Sequence, residues 1–222
     1  MSAHVIPSRA RVIPSGARDL LLVLGVVASV CAATPTVRMV KVPAGTLRPL
    51  YGAAVNVSAF SIDRDAVTRA DYLGWKTPGA KLANPRAPMT GVSWSEARSY
   101  CVARGARLPS LAEWEYVAAV DPAAVADIIA DYTTRTSNAS VETGSVNKYG
   151  VRGLHDLVWE WVGDPNGRIV AMHEHGAHDL SCAGAAMGAA DPRDYPAFLR
   201  SAFRSGLTES TRLPSLGFRC AA

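Results

Sequence analysis

The segment from residue 91 to residue 116 reads GVSWSEARSYCVARGARLPSLAEWEY and contains two helix starts of the same kind. Ser93-Trp94-Ser95-Glu96 and Ser110-Leu111-Ala112-Glu113 both match the capping box. In this motif the serine hydroxyl accepts a hydrogen bond from the backbone three residues on, and the glutamate reaches back to the cap. Apolar residues follow each box at helical spacing, so two consecutive helices are predicted. Thr68-Arg69-Ala70-Asp71 is a weaker box and predicts a third helix upstream.

Outside this segment the predicted elements are shorter. Apolar residues alternate over Val37–Val42, which predicts a strand, and Ala59–Ile62 and Phe198–Phe203 are further strand candidates. Another helix is predicted to begin with Pro122 at its first position. Helices, short strands and long irregular loops without βαβ alternation predict a single α+β domain with much irregular structure.

The composition is that of a globular protein. The chain has 222 residues, of which 49% are hydrophobic and 19% charged, and its formal net charge is +4. These values exclude a disordered tail or a coiled coil. The positive charge is small and scattered, so no nucleic-acid partner is predicted.

The N-terminus has the layout of a secretory signal. Arginines precede an apolar run from Leu20 to Val30, and small residues follow that run. The run is too short to span a bilayer, which needs about 20 residues. Residues 1–33 are therefore predicted to be a signal peptide and residues 34–222 the exported domain. We expect a periplasmic location and no membrane association after cleavage.

Taken together, the sequence blocks resemble those of the formylglycine-generating-enzyme family, also called sulfatase-modifying factors. The blocks that carry this resemblance are residues 39–46, 91–97, 107–116, 149–151, 158–161, 200–205 and 216–220. They are spaced and ordered as in the family. The resemblance implies a compact α+β fold related to C-type lectins.

The catalytic residues of the family are missing. In the aerobic generators two cysteines bind copper and activate oxygen shortly before the block that matches Arg200–Cys220. Here Asp191–Leu199 contains no cysteine, and the nearest thiol, Cys182, stands alone. Thiolates suit Cu(I) because they are soft ligands, and this pair of thiolates is missing here. We therefore do not predict the family's activity for this chain, and whether it is an enzyme stays open.

Two function classes follow from this reading. The first is an exported accessory module that binds a peptide or partner protein in a surface groove. The resemblance links exported members of this kind to periplasmic copper and nitrite-reductase systems. The second is an oxidoreductase with a histidine-based metal centre, since the family includes iron-dependent sulfoxide synthases with histidine ligands.

The resemblance also suggests where the groove lies. Arg204 matches an arginine beside the active cysteines of the generators, Trp161 matches an aromatic residue lining the same site, and Ser205 is a further groove candidate. A structural ion pair is an equally good interpretation of Arg204.

The family's calcium site is in doubt in this chain. Its usual Gly-Asn before Val-Trp-Glu-Trp is replaced by Asp156-Leu157. Leu157 has no side-chain oxygen to donate, whereas calcium takes six to eight oxygen ligands. Glu160 remains, and Asp156 could substitute in part.

Two further expectations concern cysteine and histidine. Cys101 and Cys220 match positions that are bridged in the generators, which implies a disulfide; two buried free thiols are the alternative. Three histidines and one cysteine form a candidate site for copper or zinc, with His155 as a further candidate ligand: His173, His175, His178 and Cys182. A solvated polar loop is the alternative interpretation of this segment.

Overall fold

All three predicted capping boxes start helices. In the computed structural model of the chain, which describes residues 39–50, 53–119, 122–165 and 194–222, these are α1 (Arg69–Lys76), α2 (Trp94–Ala103) and α3 (Leu111–Val117). In each box the cap hydroxyl accepts from the third helical N–H, and the acidic side chain accepts from the N–H of the cap residue. Each box thereby satisfies two backbone donors that a helix start would otherwise leave without partners.

The second half of the chain contributes two more helices to the described structure. A single 3-10 turn at Pro122–Ala124 leads into α4 (Val125–Thr134), so the proline begins this turn rather than the α-helix itself. The predicted strand over Phe198–Phe203 is wrong, because these residues lie inside α5 (Tyr195–Ser205).

The error has a physical cause in the buried face of α5. The buried residues of this helix are Pro196, Arg200 and Arg204, which follow one another at intervals of one turn. Two of the three carry guanidinium groups. A search for apolar periodicity cannot detect such a face, because two of its buried positions are occupied by charged residues.

Short strands pair into three two-stranded sheets within the described ranges. The antiparallel pairs are β1 (Met39–Val42) with β4 (Phe60–Asp63) and β2 (Gly45–Leu47) with β3 (Val55–Val57); β5 (Trp159–Trp161) pairs in parallel with β6 (Leu216–Phe218). The strands predicted near residues 37–42 and 59–62 are therefore confirmed as β1 and β4. The mixture of short sheets and helices confirms the α+β class.

A buried ion pair links strand β5 to the residue that follows strand β6. The guanidinium of Arg219 donates to both oxygens of Glu160 at 2.7 Å and to the backbone carbonyls of Asp63, Arg64 and Arg152. Trp114 Nε1 donates to the same carboxylate at 2.7 Å. These bonds satisfy a fully buried arginine, as a charge in the interior requires.

The disulfide between Cys101 and Cys220 is present, which confirms the pairing implied by the resemblance. It ties α2 to the end of the chain across a sequence separation of 119 residues. Asp63 supports the same region, because its buried carboxylate accepts two hydrogen bonds from Arg104 and one from the Cys220 N–H.

Among the described residues, no helix has the length and apolar character needed to cross a membrane.

Candidate functional site

A shared carboxylate links α3 to α5. Arg200 donates from Nε to both oxygens of Glu115 at 3.0 Å and from Nη2 to Oε2 at 2.6 Å. Arg204, one turn further along α5, donates from Nη1 to Oε1 of the same group. Both guanidiniums also lie over the ring of Trp114, with Cζ 4.5 Å from the ring centroid for Arg204 and 5.7 Å for Arg200.

This arrangement keeps Glu115 ionised. Its side chain is only 12% exposed, and burial alone raises the pKa of a carboxyl group. The attraction and hydrogen bonds of Arg200 and Arg204 outweigh burial and hold the pKa of Glu115 at about 2. One negative charge therefore faces two positive charges, and the cluster keeps an excess of positive charge.

Tyr132 extends the cluster from α4. Its hydroxyl accepts from Arg200 Nη1 at 2.8 Å and lies 3.0 Å from Nδ1 of His155. Since Arg200 can only donate, the hydroxyl hydrogen is free for Nδ1, which acts as the acceptor. Burial, together with Arg200 and Arg135, lowers the pKa of His155 to about 3, so its imidazole is neutral.

Arg135 lies directly after α4 and packs on two aromatic rings. Its Cζ is 3.7 Å from the centroid of Trp159 and 4.2 Å from that of Tyr132. Trp159 stacks in turn on Phe203 of α5, with ring centroids 4.3 Å apart. All three nitrogens of Arg135 are closed to water and make no hydrogen bond to any described residue. Burial lowers the pKa of this guanidinium to about 10, which still leaves it charged at neutral pH.

The predicted groove residues lie in different surroundings. Arg204 is 4% exposed and belongs to the Glu115 cluster, which is the ion pair that the alternative interpretation described. Trp161 is 1% exposed, donates to the carbonyl of Val92 and packs in the hydrophobic cluster that includes Phe218. Ser205 is exposed at the end of α5 and donates to the carbonyl of Ala202. A common groove for the three residues stays a prediction.

The candidate metal ligands predicted from the sequence lie outside the described residues: His173, His175, His178 and Cys182. Within the described ranges, no three His, Cys, Asp or Glu side chains come together as a metal-binding group. The copper or zinc site stays a prediction.

The residues at the family's calcium position have other partners. Both oxygens of Glu160 accept hydrogen bonds from Arg219, and one also accepts from Trp114. Asp156 accepts from the backbone N–H of Ser145 at 2.6 Å, and Leu157 is buried. The carboxylate of Glu160 is committed to the guanidinium of Arg219, so Glu160 does not fit the role of a calcium ligand.

Sequence reasoning missed most of this cluster. Glu115 and Arg200 lie in the recognised blocks, but they are 85 residues apart and no local pattern pairs them. Tyr132 lies in α4 and Arg135 directly after it, and no local pattern links either residue to α5. His155 was proposed only as a metal ligand, whereas its Nδ1 faces the Tyr132 hydroxyl.

The fold and its disulfide define a class: an α+β domain with short sheets, much irregular structure and a bridge from α2 to the C-terminal residues. The family of sulfatase-modifying factor enzyme 1-like domains matches residues 27–222. The chain belongs to this family, which confirms the resemblance drawn from the sequence blocks.

Three solved structures are similar to this chain. PvdO from Pseudomonas aeruginosa is 21% identical with a TM-score of 0.47, covering 82% of this chain and 93% of that one. CarF is 16% identical with a TM-score of 0.46, covering 83% of this chain and 97% of that one. Treponema denticola variable protein 1 is 16% identical with a TM-score of 0.42, covering 83% of this chain and 94% of that one.

Proposed function

We propose that this chain is an exported member of its family that does not generate formylglycine and instead binds a peptide or partner protein. One observation carries the proposal. The sequence has four cysteines, and Cys101 and Cys220 are bound to each other. Cys31 lies in the predicted signal peptide, so Cys182 is the single thiol left in the exported domain. A two-thiolate copper centre cannot be assembled from one thiol.

The partly exposed edge of the cluster around Glu115, formed by Tyr132, Arg135 and Trp159, supports a binding role. Arginine, tyrosine and tryptophan side chains meet there, and these residue types are enriched among the residues that dominate binding energy at interfaces. Trp159 and Phe203 add a stacked aromatic pair beside Arg135. The excess of positive charge favours an anionic group on the partner.

Export and a periplasmic setting belong to the same proposal. The layout of residues 1–33 supports a signal peptide. The Cys101–Cys220 disulfide supports an oxidising compartment, because such bonds persist there and are rare in the cytosol. The specific setting proposed is a periplasmic copper or nitrite-reductase system.

The catalytic half of the proposal is tested with a sulfatase-type peptide containing Cys-x-Pro-x-Arg. The purified chain is incubated with this peptide, copper and oxygen, and a copper-dependent formylglycine generator is run alongside as the positive control. We expect mass spectrometry to find the aldehyde only in the control. Conversion by this chain at a comparable rate would overturn the proposal.

The binding half is tested by peptide display on the immobilised chain, with heat-denatured chain as the matched control. Peptides that share a motif and are enriched only on the folded chain support the proposal. No enrichment, together with a stoichiometric redox-active metal in the purified chain, would replace it with the alternative of a histidine-based oxidoreductase.

A further inference from the structure

The guanidinium of Arg135 has no counter-ion among the described residues. Its Nε, Nη1 and Nη2 atoms are closed to water and make no hydrogen bond within the part of the chain that the structure describes. An arginine carries five N–H donors, and buried donors in folded proteins almost always have acceptors. The rings of Trp159 and Tyr132 lie close to the guanidinium carbon and attract its charge, but cation–π contacts do not replace these hydrogen bonds.

No carboxylate of the described residues makes a hydrogen bond or an ion pair with Arg135. Glu115 is shared by Arg200 and Arg204, and Glu160 is paired with Arg219. The charge of Asp156 attracts Arg135 without a hydrogen bond between them. One oxygen of Asp156 accepts from the Ser145 N–H, and the other has no hydrogen-bond partner among the described residues. The hydroxyl of Tyr132 is already bound to Arg200 and His155.

We propose that Arg135, Tyr132 and Trp159 form a receptor for a carboxylate group of the bound peptide, supplied by its C-terminus or by an aspartate or glutamate side chain. The proposal rests on the peptide-binding function above and names the chemical group recognised. A carboxylate accepts two parallel hydrogen bonds from the edge of a guanidinium. It is planar and carries one charge, which matches one guanidinium that forms no ion pair with a described side chain.

The position of Arg135 allows the ligand to enter. Arg135 is only partly buried as a residue, and it lies at the end of α4, where the helix gives way to the polar segment that follows. Because its nitrogens are closed to water in the free chain, binding requires a shift of this side chain. The carboxylate binds the open position of the Arg135 side chain more tightly than the closed one, so binding shifts the side chain to the open position.

The test compares Arg135→Met with Arg98→Met in the full chain. Arg98 is the matched control because it is an exposed arginine whose Cζ lies 5.8 Å from the ring centroid of a tryptophan, Trp94. The probes are acetate, a capped glycine tripeptide with a free C-terminus, the same peptide as its amide, that amide with a central aspartate, and inorganic phosphate. The readout is the thermal unfolding midpoint at constant ionic strength.

The proposal gives two expected results. Without a probe, Arg135→Met should unfold about 2–4 °C above the wild type, because the substitution removes a buried charge that has no counter-ion among the described residues. Carboxylate probes should raise the midpoint of the wild type and of Arg98→Met, and should leave Arg135→Met unchanged. The free C-terminus and the central aspartate separate the two sources of the carboxylate.

Several results would overturn the carboxylate receptor. Arg135→Met could unfold below the wild type, as expected for a purely structural arginine. Carboxylates could stabilise all three proteins equally, or phosphate could stabilise the wild type more than any carboxylate.

The two proposals fail separately. If peptides enriched by display bind the wild type and Arg135→Met with the same affinity, the receptor is refuted and the peptide-binding function stands. If display enriches nothing while carboxylates still stabilise the wild type but not Arg135→Met, the peptide-binding function is refuted and the site is a receptor for small carboxylates.

Discussion

Glu115→Gln removes the negative charge that holds α3 to α5 and keeps the shape of the side chain. Glutamine occupies nearly the same volume, so the packing around this side chain changes little. The guanidiniums of Arg200 and Arg204 stay buried, at 3% and 4% exposure, and lose their counter-ion. The cost of this substitution is therefore electrostatic rather than a cavity effect.

The magnitude follows from the pKa of Glu115, which falls from its usual 4.5 to about 2 in the folded chain. At 1.36 kcal/mol for each pKa unit, the ionised carboxylate contributes about 3 kcal/mol to the free energy of unfolding at neutral pH. Removing one partner of a buried ion pair costs about 3–5 kcal/mol in other proteins, which agrees with this value.

The assay is urea unfolding of the wild type and Glu115→Gln across a pH series, evaluated by linear extrapolation. A carboxyl group with a depressed folded pKa stabilises above its unfolded pKa and loses this effect as pH falls through the folded pKa. The difference between the two proteins should therefore be full above pH 4.5, shrink below it and be mostly gone near pH 2.

Glu142→Gln is the matched control, because Glu142 pairs with Arg86 at 2.6 Å on the surface, where its side chain is 59% exposed. An exposed pair of this kind contributes about 0–1 kcal/mol. A loss below about 1 kcal/mol in Glu115→Gln, or a loss that does not depend on pH between 4.5 and 2, would refute the electrostatic reasoning.

Two further predictions concern cysteine and histidine. Replacing Cys101 and Cys220 together by alanine should lower the free energy of unfolding by up to about 4 to 5 kcal/mol in the chain-entropy model. A thiol count on the unfolded, unreduced full chain should find Cys31 and Cys182 free, and four free thiols would contradict the bridge. Titration with Cu(II) and Zn(II) should find one site whose affinity weakens as pH falls through about 6.5 and which disappears when His173, His175 and His178 become alanine. Unchanged affinity in that triple variant would show that these histidines do not form the site.

Local signals in the sequence determined the helix starts and, through the family blocks, the fold. A capping box is closed by hydrogen bonds between residues three apart. It can therefore be recognised without any knowledge of tertiary structure, as for Ser93 with Glu96 and Ser110 with Glu113. The strand candidate over Phe198–Phe203 failed because the buried face of that helix carries arginines. Hydrophobic periodicity predicts burial of apolar groups and does not detect charged groups buried in pairs.

The tertiary structure alone decided which charged groups meet. Glu115 and Arg200 are 85 residues apart, and Tyr132 and His155 are 23 apart, so the path of the intervening chain selects these partners. Each charge could be solvated separately in an extended chain. In the folded domain, water is excluded and every buried charge needs a partner or an aromatic face. Among the described residues, Glu115 obtains two arginines, whereas Arg135 obtains only the rings of Tyr132 and Trp159, and this difference could not be predicted from the order of the residues.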